Sequence, residues 1–332
     1  MKCTIVYLEP RSSFKPALRS DTLWAAICWA IRMVYGEQRL DGLIKAYEGK
    51  ESDEAPFYLS SAFPYQWLGG KRVPFLPRPM EPSRMELPGA EAPFEKVKSL
   101  MREWKAVEKR VFMDVGLFQY AYGGKPAPVK TFRAPVIDVR PMAHNTISRL
   151  TGSTLSINKR GQLFHMDERF VQPGEQGRKT GLYFLVQGNM KPLLEGALRF
   201  LEHYGIGGDR STGKGAFHID WEDFQLDEPG DANAIMALSL YLPTKTERKS
   251  LQGINSPVLN YKLEARQGWK SMQAKGASKD PVLFFSERSV LPLPKEEKTI
   301  YGHNISVGQH DAGHDIYQYG YGFMVKIKIP QS

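Results

Sequence analysis

A short alternating run from Cys3 to Leu8 predicts a first strand. Phe14 to Leu18 reads as a loop. Ser20 is placed to cap a helix from about Thr22 to Tyr35, stopped by Gly36. In that helix Trp24, Ala25, Ile27, Cys28, Ile31 and Val34 leave almost no polar face, which predicts burial between other elements. From Pro56 to Pro93 proline recurs densely with Gly69, Gly70 and Gly89 between, and an irregular arm is expected because proline breaks both helix and ladder. A charged helix over about Phe94 to Val115 follows, with Val97, Leu100, Met101, Trp104 and Val107 on one side.

Between Thr146 and Gln187 the apolar positions Ile147, Leu155, Leu163 and Phe164 are separated by Gly152, Asn158 and Gly161, which is hairpin spacing. Arg149, Lys159, Arg160, Arg169, Arg178 and Lys179 line it. Leu182 to Val186 predicts a strand. Pro192 to Tyr204 predicts an amphipathic helix whose stripe is Leu193, Leu194, Ala197, Leu198 and Leu201. It runs into a glycine-rich segment, residues 205–215, and an extended stretch from Ala216 to Ile219 leads out. Acidic residues from Glu222 to Asp231 mark a boundary. Strands are expected at about Ile235 to Leu242, Val282 to Phe285 and Phe323 to Ile329. This order predicts an α+β chain of two sandwiches, each a sheet with helices on one face.

With 332 residues and 42% hydrophobic content, either half can bury a core. The net charge of +9 favours a polyanionic partner without naming it. Cys3 and Cys28 make neither a disulfide framework nor a zinc site, so a reducing, cytoplasmic setting is expected. The most apolar stretch, Leu23 to Ile31, is far short of the roughly 20 residues a membrane span needs, so no membrane partner is expected.

Residues 208–214 have the G-x-x-x-x-G-K spacing of a phosphate loop, but Gly215 stands where magnesium requires Ser or Thr. The flanks are also reversed, since a helix leads in and a strand leads out. The dinucleotide pattern fails because Arg210 occupies its third glycine position. A plain turn would not need five glycines with Arg210, Ser211, Thr212 and Lys214. Free backbone amides beside Arg210 and Lys214 suit an RNA phosphate chain. Here Gly207, Gly208, Gly213 and Gly215 would let that chain approach.

Helix, then Gly-Ile-Gly-Gly-Asp-Arg-Ser-Thr-Gly-Lys-Gly-Ala-Phe, then strand, resembles the signature loop of the RAMP superfamily of CRISPR RNA-binding proteins. Arg19-Ser20-Asp21-Thr22-Leu23-Trp24-Ala25-Ala26-Ile27 is similar to the first loop and helix of the handle-binding subunit of type III-A complexes, the fourth Csm subunit. Ile147-Ser148-Arg149 through Gly161-Gln162-Leu163-Phe164 is similar to its thumb hairpin, and Ile316-Tyr317-Gln318-Tyr319-Gly320-Tyr321-Gly322-Phe323 to its C-terminal strand. The type III-B counterpart is the nearest relative of this pattern.

The resemblance implies two ferredoxin-like (RRM-like) domains. One spans residues 1–228, with an insertion at about 36–130, the thumb at about 144–187 and the glycine loop at 205–215. The other spans 229–332. It implies a non-catalytic subunit that binds the 5′ handle of crRNA, lies near the handle-proximal end of target RNA, and contacts the large polymerase-like subunit and the backbone RAMP subunit. No cofactor or metal is implied. Arg19 and Ser20 would face the handle, although the family often has histidine where Arg19 stands. Arg133, Arg140 and His144 would extend a basic path to Arg149 at the thumb, and Leu155 or Ile157 at the thumb tip would stack on the guide.

An enzyme of the same superfamily, a metal-independent repeat-processing ribonuclease, is the alternative, with His303 and Tyr301 or His144 as its candidate groups. His310 and His314 have helical ligand spacing beside Asp311 and Asp315, but Gly308 and Gly313 predict a loop there.

Overall fold

The computed structural model describes residues 1–49, 56–80, 98, 111–126, 131–148, 150–154, 156–157, 160–161, 163–174, 177–188, 192–252, 256, 258–268, 278–294, 298–310 and 313–329. Strand β1 (Lys2–Pro10) is followed by helices α1 (Ser20–Tyr35) and α2 (Glu37–Tyr47). Strands β2 (Phe57–Leu59), β3 (Phe63–Leu68), β4 (Lys71–Pro77) and β5 (Phe112–Asp114) lead to helix α3 (Val115–Gly123). A long hairpin pairs β6 (Ile137–Asn145) with a later strand. The short strands β7 (Ser156–Ile157) and β8 (Arg160–Gly161) lie between them, and the partner is β9 (Leu163–Val171). Then come β10 (Thr180–Gly188), helix α4 (Leu193–Tyr204) and β11 (Phe217–Gln225).

The seven-stranded sheet runs β11-β1-β10-β3-β4-β5, with β2 also on β10. Every pairing in it is antiparallel. Its centre is buried on both faces. Val6, Leu8, Leu182, Phe184 and Val186 pack against Leu23, Ile27 and Ile31 of α1 and Leu194, Leu198 and Leu201 of α4. Ile5, Tyr7, Tyr183 and Leu185 point the other way, into a core completed by Phe118 and Tyr122 of α3 and by the C-terminal part. The period of two along β1 and β10 therefore feeds two cores rather than one core and solvent.

The C-terminal part contains β12 (Ala234–Ala237), helix α5 (Lys245–Leu251), β13 (Leu263–Arg266), β14 (Val282–Phe285) and β15 (Val290–Pro292). After these come β16 (Tyr301–Gly302), β17 (Ile305–Gln309), β18 (Asp315–Gln318), β19 (Tyr321–Gly322) and β20 (Met324–Ile327). Three strands form the sheet β15-β12-β20, and Ala234, Met236, Val290, Val325 and Ile327 press it onto the first sheet. No helix among the described residues is long and apolar enough to cross a membrane.

Several expectations change. Helix α1 is not wrapped on all sides, because Trp29, Met33 and Val34 are exposed on its outer face. The proline-rich stretch holds three strands as far as Pro77. β3 pairs with β4 from Tyr65 and β4 with β5 from Phe75, so Pro64 and Pro74 each stand where one side of the strand is unpaired and no donor is required. The remainder of that arm, residues 81–93, lies outside the described residues, as does the body of the expected 94–115 helix. The end of that helix is a strand instead, and α3 begins at Val115 because Asp114 caps it, accepting from Leu117 N at 3.0 Å. The thumb starts at Ile137, earlier than its glycine spacing indicated. Glu222 and Asp223 are part of β11 rather than of a linker.

Candidate nucleic-acid interface

Three separate pieces of chain meet beside the N-terminus of α1. Helix α4 ends at Tyr204, and the glycine loop turns back over residues 11–16. Gly208 N donates to Lys15 O at 2.6 Å, Gly215 N to Ser13 O at 2.7 Å, and Arg11 N to Ala216 O at 2.8 Å. On its other side the same segment joins the thumb, where Phe14 and Arg169 exchange backbone hydrogen bonds of 3.1 and 2.9 Å. Residues 11–16 thus stitch the glycine loop to the base of the thumb.

This stitching explains the glycines. A Cβ on Gly207 would sit 2.4 Å from Lys15 O, and one on Gly215 would sit 2.1 Å from Ile206 O. Both have positive φ, +100° and +70°. Gly213 also has φ +82°, but nothing lies within 4 Å of its Cβ position. The loop's close approaches are therefore made by its own protein backbone at Gly207 and Gly215. Its open side is the tip, a 3₁₀ turn over Arg210–Thr212 with Ser211, Thr212 and Gly213 exposed.

A buried carboxylate lies under the junction. Glu168 is the one buried position of β9, and its side chain is 2% exposed. Its Oε2 accepts from Lys214 Nζ at 2.9 Å and from Ser13 Oγ at 2.7 Å, while His144 Nε2 stands 3.9 Å from Oε1. Burial alone would raise the Glu168 pKa. The hydrogen bonds from Lys214 and Ser13, with the charges of Lys214 and Lys15, outweigh it and hold the group below its ordinary value. Lys15, itself buried, pairs with Asp209 of the glycine loop and lies 3.2 Å from Met166 Sδ of the thumb. Arg210 lays its guanidinium over Tyr204, 4.5 Å from the ring centre.

The other candidates separate into two groups. His144 stacks on Phe164 across the thumb ladder at 5.5 Å, while Arg140 bonds Asp138 and lies 5.2 Å from the Phe170 ring centre. Arg133 is exposed just before β6. Val139, Met142, Ile147, Leu150, Leu163 and Phe164 give the thumb an exposed apolar surface. Arg149, Leu155 and the side chain of Ile157 lie outside the described residues.

Arg19 and Ser20 face inward. Arg19 is 14% exposed and is held by Glu264 and by Glu287, whose Oε1 accepts from Nε at 2.9 Å. Ser20 is fully buried, and its Oγ accepts from Leu240 N at 3.1 Å instead of capping α1. Both residues bolt the first half of the chain to the second. Sequence reasoning missed Ser13, Lys15, Asp209 and Glu168, although one signal was present: the acidic pair Asp167-Glu168 inside a hairpin in which basic residues predominate.

His303, His310 and His314 are apart from this cluster. His303 Nδ1 lies 3.2 Å from Leu242 O. His310 and His314 stack at 4.8 Å across the turn between β17 and β18 rather than on a helix. Among the described residues no group of three or more His, Cys, Asp or Glu is arranged to hold a metal ion.

Residues 230–327 match the family model of the CRISPR Csm4 C-terminal domain. The CRISPR system protein Csm4 of Thermococcus onnurineus (strain NA1) is 27% identical over 340 residues, covering 99% of this chain and 98% of that protein. Among solved structures, a Csm1-Csm4 cassette in complex with cA4 is similar with TM-score 0.60 and 22% identity, each chain fully covered. A Csm3-Csm4 subcomplex of the type III-A CRISPR-Cas interference complex is similar with TM-score 0.55 and 16% identity, over 97% of this chain and 99% of that one.

Proposed function

We propose that this chain is a member of the Csm4 family and a non-catalytic RNA-binding subunit of a type III-A effector complex, anchoring the 5′ handle of crRNA. The observation that carries the proposal is the junction itself. Residues 11–16 tie the glycine loop to the base of the thumb, so that the tip residues Arg210, Ser211, Thr212 and Gly213 are held at a fixed position relative to it. Among the described residues Arg210 has no carboxylate partner, and the exposed tip would leave room for a phosphate chain. Lys214 is paired with Glu168 and fixes the loop beneath that tip.

The relatives support the partners. Similar chains are solved with Csm1 and with Csm3, so this chain would join a large Csm1-like subunit to a Csm3-like backbone filament, with target RNA near its handle-proximal end and in a cytoplasmic setting. We read residues 1–228 as a ferredoxin-like unit. Its strands β11, β1, β10 and β3 lie in the spatial order 4-1-3-2 of a βαββαβ motif, with α1 and α4 on one face. We read 229–332 as a reduced second copy.

The test is filter binding of labelled crRNA with native and scrambled handles, in chelator, across a salt series, with a gel of the same samples. Tighter binding of the native handle, intact RNA, and a salt slope reduced by about one in Arg210→Ala are expected. Cut RNA would transfer the case to the superfamily's ribonucleases. Equal binding of both handles by the chain and by its reconstituted complex would refute the anchor.

A further inference from the structure

A cavity of about 480 Å³ opens between α1, the glycine loop, the β13–β14 hairpin and β18. We propose that it is a pocket for a single unpaired nucleotide of the bound RNA, an inference that rests on the RNA-binding reading above. Its size falls within the range of about 300–1,000 Å³ typical of small-ligand sites. The glycine loop enters it directly, through Gly207 and Arg210, so a strand lying on the loop has one nucleotide within reach of it.

The lining divides into parts suited to a base and parts suited to a phosphate. Trp29 of α1 lines the cavity and is 40% exposed, an unusual position for tryptophan in a helix whose other face is core. Tyr317 also lines it, and its hydroxyl is tied to Glu48 at 2.6 Å, so its ring is held in place without a ligand. Unpaired RNA bases are held on such aromatic faces.

Among the described residues two cations of the lining, Lys279 and Arg210, have no carboxylate partner. Arg266 takes both oxygens of Asp21, with contacts of 3.1 and 3.1 Å, so the only acidic residue among the described residues of the lining is neutralised. Lys279 lines the same wall and forms no ion pair or side-chain hydrogen bond among the described residues. Burial draws its pKa below the ordinary value, against the pull of Asp21. A half-buried ammonium with no hydrogen-bonded carboxylate is an arrangement that a phosphate would relieve.

Gln318 supplies the remaining feature. Its Nε2 donates to Asp21 at 3.3 Å, while its Oε1 is buried and has no hydrogen bond among the described residues. That oxygen is closed to solvent, so a nucleobase amine or a ribose hydroxyl would reach it by turning the amide outward into the cavity. An acidic peptide would satisfy Lys279 and Arg210 but would leave Trp29 and Gln318 without a role.

The experiment combines an abasic scan with variants of the full chain. Each handle nucleotide is replaced in turn by an abasic one, and affinity is measured for wild type, Trp29→Ala, Trp29→Phe and Lys279→Gln. At one position the wild type is expected to lose on the order of ten-fold in affinity, the size of one base stack. Trp29→Ala is expected to show that loss already with the intact handle and no further loss at that position, and Trp29→Phe to restore it. Lys279→Gln is expected to weaken the intact handle while leaving the native-over-scrambled preference above one. Abasic and variant losses that simply add at every position would overturn the pocket while leaving RNA binding intact. A wild type with no preference for the native handle would remove the RNA reading and the pocket with it. Saturable quenching by free mononucleotide that Trp29→Phe abolishes, with no abasic effect, would assign the cavity to a free nucleotide and overturn the proposal. Competition by polyglutamate that depends on Lys279 but not on Trp29 would overturn it in favour of an acidic partner.

Discussion

Glu168→Gln isolates the charge that holds the glycine loop to the thumb. The amide keeps the shape, and its oxygen still accepts from Ser13 at the 2.7 Å position, but the ion pair with Lys214 is lost. A hydrogen bond to a charged group contributes about 1.5–3 kcal/mol. The Lys214 side chain is 29% exposed and can turn to water, which keeps the penalty near the low end, about 2 kcal/mol. At roughly 2 °C per kcal/mol for a chain of this size, Tm falls by about 4 °C.

The pH dependence has a definite sign. The folded pKa of Glu168 lies below its ordinary 4.5, so its stabilisation is complete above about that value and is lost as pH falls through the folded pKa. The gap in Tm between wild type and variant is therefore full at pH 7 and closes in acid. On RNA the same change frees one cation, and the salt slope steepens by about one while native-over-scrambled discrimination falls, because loop and thumb are no longer held in register. Calorimetry at two pH values and a salt series check both parts. A Tm gap that persists unchanged in acid, or a salt slope equal to that of wild type, would refute the reasoning.

The close-packed glycines should separate from the open one. Gly215→Ala sets a left-handed residue, at about 1–2 kcal/mol, against a backbone oxygen 2.1 Å away and should melt well below Gly213→Ala, which meets nothing within 4 Å. Equal melting temperatures would show that the loop yields freely. Arg19→Ala leaves Glu287, 13% exposed, without its cation, and should destabilise by about 3 kcal/mol in denaturant titration with the RNA salt slope unchanged. A reduced slope would return Arg19 to the RNA surface. Neither thiol should react with a disulfide reagent in the native protein at pH 8, since burial pushes Cys3 up to about 12 and Cys28 higher still. Rapid native labelling would contradict the packing of β1 and α1.

The elements with strong local signals were legible in the sequence. The strand at Cys3–Leu8, the stripe of α4 and the glycine-rich turn with its basic residues declare themselves through spacing and backbone freedom, which neighbouring residues determine. The prolines misled, because whether a strand tolerates proline depends on which of its edges is paired, and pairing is non-local. The direction of a charged side chain was hidden for the same reason. Arg19 lies 245 and 268 residues from the carboxylates that claim it, and Ser20 lies 220 residues from the amide it accepts. Glu168, Lys214 and Ser13 converge only when the thumb, the glycine loop and the first loop are brought together. The sequence by itself determined which backbone segments can bend tightly and where positive charge gathers. Only the tertiary structure decided which of those charges are neutralised by a buried carboxylate and which are left for a ligand, because neutralisation is set by distance in space rather than along the chain.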